Sequence, residues 1–221
     1  DSMTQGELEG LAIPIQRNMS TMESRIMSDI VRRIKINGEI TSAADWQMNR
    51  LYQMGMSKKE IQKAIAESLK LSEKEMKDLY RNALQQEYIR NQDLYTAKGK
   101  RWIPFAKNEE LQGLVTGIEE QTRNELKNIT QSLGFAVRGP TGKIIQSPIM
   151  EFYQDTLDDA MMDIATGVLD YNTVINRTIQ TMTNSGLRAI DFDSGWSNRV
   201  DVAARRAIMT GFGQLQGRLN E

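Results

Sequence analysis

The chain has 221 residues, of which 39% are hydrophobic, and its 28 Lys and Arg against 29 Asp and Glu leave a formal net charge of −1. It contains no cysteine and no histidine, which excludes disulfides, thiolate metal sites and cysteine nucleophiles and removes the commonest general base and zinc ligand. The balanced charge gives no global field to hold nucleic acid or an anionic membrane, and no apolar run approaches the roughly 18 residues that span a bilayer.

This length suits one large domain or two small ones. The first residues, Asp1 to Gly6, have neither the basic nor the apolar region of a signal peptide. After a loose start through Pro14, Met19, Met22, Ile26, Ile30 and Ile34 keep helical spacing and Gly38 closes the helix. Ser42 to Asp45 open the next helix, which contains Trp46 and Met54 and ends at Gly55. Then one device occurs twice. Ser57 with Glu60, and Ser72 with Glu75, form capping boxes, and Met56 with Ile61 and Leu71 with Met76 form the matching hydrophobic staples. This predicts a short helix followed directly by a longer one. A helix-turn-helix reading DNA fits that geometry, but Lys58, Lys59, Lys63 and Lys70 are offset by Glu60, Glu67, Glu73 and Glu75.

The fourth helix runs through Leu79, Tyr80, Leu84, Tyr88 and Tyr95, and Gly99 to Phe105 break it. The expected division is an N-terminal helical part at 1–98, a hinge or linker at 99–107 and a C-terminal helical part at 108–221. Trp102, Ile103 and Phe105 suit packing into a groove between helices better than contact with a partner. Asn108 caps the fifth helix and Gly134 stops it; Phe135 to Val137 and Lys143 to Ile145 then flank Gly139-Pro140-Thr141-Gly142 as a β-hairpin. Gly139 to Lys143 is too short for a phosphate loop, and Ile144 stands where its Ser or Thr belongs.

Ser147-Pro148 start the sixth helix. Asp155, Asp159 and Asp163 repeat every four residues on its polar side. Such a column repels itself along a helix, so a solvated face, contact with a basic partner and a divalent cation are all weighed, in that order of preference. Metal catalysis on it lacks any histidine or nearby base. Asp170 caps a seventh helix that Gly186 closes. In the last helix Val200, Ala203, Ala204, Ala207, Ile208, Gly211 and Leu215 share one face, flattened by Ala203, Ala207 and Gly211, with Arg205 and Arg206 to either side. The fold class is mostly α: about eight helices and one small β-hairpin near residues 135–145.

Several stretches carry a resemblance. Asn184-Ser185-Gly186-Leu187-Arg188 and Ser194-Gly195-Trp196-Ser197-Asn198-Arg199, continuing through Arg206-Ala207, resemble the phage minor capsid protein 2 family. So do Ile30 to Ile34, Ile40 to Trp46, Asn128 to Phe135 and Phe152 to Ala160. The wider Mu F-like head-morphogenesis group typically has Ala-Arg-Thr-Glu where this chain reads Ala204-Arg205-Arg206-Ala207, so the narrower relation is the stronger one. The resemblance implies a minor structural protein of the tailed-phage head, in few copies near the portal, made in the bacterial host cytoplasm and acting in head assembly, DNA packaging or ejection. The implied partners are the portal, other head proteins and packaged DNA. It implies no enzyme activity, no cofactor and no metal. The partner-binding candidates are Trp196, Arg199, Arg205, Arg206, Asp155, Asp159 and Asp163. Members of the family usually continue into a histidine-containing C-terminal region, and Leu215 to Glu221 stop in mid-pattern, so a fragment is expected. A helical DNA-binding or regulatory protein, or a metal-dependent hydrolase on the aspartate column, would leave the family-like stretches unexplained.

Overall fold

A computed structural model describes residues 5–38, 43–165 and 170–219, apart from the side chains at 5, 8, 9, 37, 38, 43–47, 160–165 and 171. Its elements are α1 (Gln5–Leu11), α2 (Ile13–Gly38), α3 (Ala43–Arg90), α4 (Gln92–Ala97), a 3-10 turn (Phe105–Lys107), α5 (Glu109–Gln131), β1 (Leu133–Arg138), β2 (Ile144–Pro148), α6 (Ile149–Ala165), α7 (Tyr171–Ser185), β3 (Arg188–Ile190), β4 (Ser197–Arg199) and α8 (Val200–Leu219). The fold is mostly helical, as the periodicity predicts. The expected loose start is instead helical from Gln5, and Pro14 sits in the first turn of α2, where its missing N–H leaves no intrahelical bond unmade. The expected cap at Ser42 lies outside the described residues.

The largest departure from the sequence reading is α3. Neither capping box starts a helix: one helix of 48 residues runs through Gly55, Ser57 and Ser72 without a break. The reason is visible in its buried side. Gln53, Ser57, Ile61, Ala64, Ser68, Ser72, Met76, Tyr80, Leu84 and Tyr88 are all buried and keep an unbroken three-to-four spacing, with Glu87 buried beside the last of them. The serines are small residues on the packed face, and their hydroxyls do not turn back to cap. With the second helix start gone, the premise of the helix-turn-helix reading falls.

The chain divides into two compact units. One comprises Asp1–Asn18, Leu69–Asn128 and Asp201–Glu221, and Tyr80 is central to it. The Tyr80 ring lies 6.1 Å from that of Phe212, its hydroxyl donates to the Ile208 carbonyl at 2.8 Å, and Thr122 Oγ1 is 3.2 Å away. Gly211 permits this: a Cβ there would come within 2.5 Å of Thr122 Oγ1 and would also overlap the Tyr80 hydroxyl. The flat face of α8 thus has its reason at one glycine. Tyr88 anchors a second cluster, stacked on Trp102 at 5.3 Å with Phe105 at 6.1 Å and Tyr95 edge-on at 5.5 Å. Packing accounts for the aromatic cluster at 102–105. Asn108 caps α5, its Oδ1 accepting from the Leu111 amide at 3.1 Å. Burial pushes the Glu119 carboxyl up against the opposing pull of Arg81 and Lys77.

The other unit comprises Met19–Ser68 and Ile129–Val200. Met19, Met22, Ile26, Ile30 and Ile34 form the buried stripe of α2. Beside that stripe lies a buried polar network. Asp29 accepts from Arg32 at 2.8 Å, from Arg33 at 3.2 Å and from the Ser57 hydroxyl at 2.6 Å, and Arg33 also donates to Gln53 at 2.9 Å. The sheet is antiparallel in the order β2-β1-β3-β4, so the expected hairpin gains two further strands. Pro148 ends the edge strand β2, where a missing N–H is tolerated, and α6 begins one residue later. Phe135 and Phe152 pack at 4.8 Å between sheet and α6. Asp170 Oδ1 caps α7 through the Thr173 amide at 2.7 Å, and Gly186 ends it at φ 67°.

Two predictions follow from the buried polar groups. Asp29→Ala leaves the buried Arg33 guanidinium without its carboxylate and costs about 3–5 kcal/mol, whereas Ser57→Ala removes one hydrogen bond and costs about 1 kcal/mol, both measured by urea unfolding. Burial raises the Tyr80 hydroxyl from 10.0 to about 12, partly offset by the Thr122 hydrogen bond and aided by Glu119. The folded chain keeps this proton where the unfolded chain has lost it. The contribution is therefore whole below about pH 10 and is lost as pH rises toward 12, roughly 2–3 kcal/mol in all. Tyr80→Phe should destabilise the protein at pH 8 and show a shallower loss of stability between pH 9 and 11.5 than the wild type.

Candidate functional site

The turn between β3 and β4 is where the Trp196 run becomes a surface. Asp191 Oδ1 accepts from the amides of Asp193 at 3.0 Å and Ser194 at 3.2 Å, the Asx turn that Asp favours. The Asp191 amide donates to the Trp196 carbonyl and the Gly195 amide to the Asp191 carbonyl, each at 2.9 Å. Gly195 supplies the left-handed conformation, φ 74°, that closes the reversal. The backbone is tied down, yet Trp196 is 75% and Phe192 58% exposed. Sequence reading singled out Trp196 and missed Phe192, whose place is set by a turn that only the strand pairing defines.

The other residues of the run hold this hairpin. Arg188 donates to the Ser197 hydroxyl at 2.7 Å and to its carbonyl at 3.1 Å, and Ser197 donates to Gln146 at 2.8 Å. The Ser185 hydroxyl accepts from the Ala136 amide at 2.7 Å. A Cβ on Gly186 would fall 2.9 Å from the Arg199 guanidinium carbon, so the glycine makes room for that group. Arg199 reaches Glu23 at 3.9 Å, and Glu23 also accepts from the Leu187 amide at 2.8 Å. Arg199 therefore braces the hairpin base.

Asp155 and Asp159 are exposed on α6 and border a cleft of about 620 Å³ between the β1–β2 hairpin, α6 and α7. The side chain of Asp163 lies outside what is described. The same cleft holds Arg138, Arg177 and Asp158, and Asp158 forms an ion pair with Arg50. Spacing along α6 revealed none of these bases, because they come from β1, α7 and α3. The carboxylates stand among guanidinium groups, and among the described residues no group of three or more acidic, histidine or cysteine side chains is placed to hold a metal. Arg205 and Arg206 belong to the other unit, half-buried and exposed respectively on α8.

A family model described as phage minor capsid protein 2 matches residues 5–221. The chain belongs to that family. It is a structural protein of the phage head, and among its described residues no helix is long and apolar enough to cross a membrane. Comparison with curated proteins and with solved structures gave no match. The Ser-Gly-Trp-Ser-Asn-Arg run of this minor capsid protein combines a turn, an exposed aromatic and the braces that hold both.

The hydrogen bond from the Ser194 side chain, with those from the Ser194 and Asp193 amides, holds the Asp191 carboxyl below its ordinary range. Its support of the turn is present above about pH 4 and fades as pH falls through the lowered value. Asp191→Ala should speed amide exchange at Asp193 and Ser194 while leaving the global melting temperature unchanged. Unchanged exchange at both amides would show that the carboxylate does not organise the turn.

Proposed function

We propose that this minor capsid protein acts in few copies near the portal vertex, in head assembly, DNA packaging or ejection, and that the β3–β4 hairpin tip is its docking element for the portal or a neighbouring head protein. The observation that carries the proposal is the pair of exposed aromatic side chains, Phe192 and Trp196, on a backbone fixed by four turn hydrogen bonds. Binding is strongest where large, rigid aromatic side chains are presented without an ordering cost, which is why tryptophan and tyrosine dominate interface hot spots. A tip of this kind gains most by entering a pocket on a partner.

The exposed Arg206 edge of α8 and the Asp155, Asp159 and Asp163 side of α6 are secondary contact candidates, the first for packaged DNA or an acidic surface, the second for a basic one. A nearly neutral chain has little non-specific affinity for duplex DNA, so DNA contact depends on placement inside the filled head. Synthesis in the host cytoplasm before head assembly belongs to the same reading.

The test is incorporation. Phe192→Ala with Trp196→Ala should fold with an unchanged circular dichroism spectrum and lower the copy number per particle severalfold, read by quantitative mass spectrometry of purified heads. Full copy number in particles built with a folded double variant would contradict the docking role.

A further inference from the structure

The continuity of α3 has a consequence for its charges. At about 100° per residue, Lys59, Lys63, Lys70, Lys74, Lys77 and Arg81 fall within one sector of about 60°, a row roughly 33 Å long. Two helices meeting at Ser72 would not bring Lys59 and Lys63 into line with Lys74 and Arg81; one unbroken helix does. The five lysines are exposed and Arg81 is half-buried. The acidic residues that balance them in number stand off the row. Glu60, Glu67 and Asp78 lie along one flank, Glu73 along the other, and Glu75 further round. Glu67 is engaged by Arg25 of α2, and Glu73 by Lys77 and by Arg123 of α5. Arg81 pairs with Glu119. Lys59, Lys63, Lys70 and Lys74 make no ion pair among the described residues. Like charges three and four residues apart repel along a helix, and an anionic partner lying on the row relieves that repulsion.

The make-up of the row decides which anion. Lysine is depleted at protein–protein interfaces, whose centres are held by aromatic and other well-packed anchors. Here Ala66 is the one apolar residue at the edge of the sector between Lys59 and Arg81. Lysine ammonium groups are compact point charges that meet phosphate without demanding a fixed geometry. We propose that this face of α3 lies along the phosphate backbone of duplex DNA inside the head and holds it without reading its sequence. The proposal rests on the placement of the chain in the DNA-filled head and gives the contact a surface apart from the α8 edge. Binding is electrostatic throughout, so the near-neutral balance of the whole chain keeps it weak. It takes effect where DNA is concentrated.

The test begins with the full chain and a random-sequence DNA duplex, followed by fluorescence anisotropy. Wild type should bind at about 50 mM salt and weaken about a hundredfold by about 200 mM, the loss expected for counterions released from about four phosphates. Lys70→Gln with Lys74→Gln should weaken binding about tenfold at low salt and make the salt dependence shallower by about two units of slope. Glutamine keeps the helix propensity of lysine, so the circular dichroism spectrum should not change. Lys98→Gln with Lys107→Gln removes the same charge from exposed positions off the row and should leave binding within about twofold. No binding at low salt, or equal losses in the two double variants, would overturn the proposal.

In particles, p-azidophenylalanine in place of Lys74 should cross-link to DNA when filled heads are irradiated. Cross-linking to another head protein instead would assign the row to an acidic protein surface and overturn the proposal. Copy number in the same particles tells two failures apart. A chain absent from heads sinks the reading on which this rests, and the proposal with it. A chain present at full copy number but not cross-linked to DNA sinks the proposal alone.

Discussion

Gly134 is the position on which the hairpin-bearing unit depends. It pairs with Pro148 on one side of β1 and with Arg188 on the other. A methyl group there would overlap the Ser147 carbonyl and reach within 2.5 Å of the Ile190 side chain. Only glycine lets β2 and β3 close on the same point of β1, and β3 in turn carries β4 and the turn between them. The exposed aromatics therefore rest on a backbone contact two strands away.

Each unit also contains buried polar groups whose role is to fix geometry. Asp29 satisfies Arg32, Arg33 and Ser57 together, so α2 and the first half of α3 have one register in which no charge is left unpaired. Apolar side chains of similar volume could supply comparable stability, because desolvation offsets much of the attraction in a buried ion pair. In the other unit the Tyr80 hydroxyl does the same for α3 and α8 by finding the Ile208 carbonyl beside Gly211.

Much of this was legible in the sequence wherever the signal is local. Asn108 and Asp170 cap the helices that their positions predict, Gly186 ends α7, and the hairpin around Gly139 to Gly142 forms where the turn residues stand. What misled was also local. Ser57 and Ser72 satisfy the pattern of a capping box, yet tertiary packing claims both as buried positions of a continuous helix; the unbroken spacing of buried residues from Gln53 to Tyr88 was the stronger signal. The strands β3 and β4 have three residues each, too few to show alternation, and β3 takes its pairing from β1, far back in the chain. Trp196 could be picked out because its run resembles the family. Its neighbour Phe192, and the bases around Asp155 and Asp159, depend on chain segments that meet only in the folded protein.

The claim that matters most is that the hairpin tip is an interface. Cryo-electron microscopy of DNA-filled heads, refined without imposed icosahedral symmetry, tests it most directly. The account predicts the β3–β4 tip seated against another head protein, with the Phe192 and Trp196 side chains removed from solvent. A resolved copy of the chain whose hairpin tip points into open space, touching neither protein nor DNA, would contradict it.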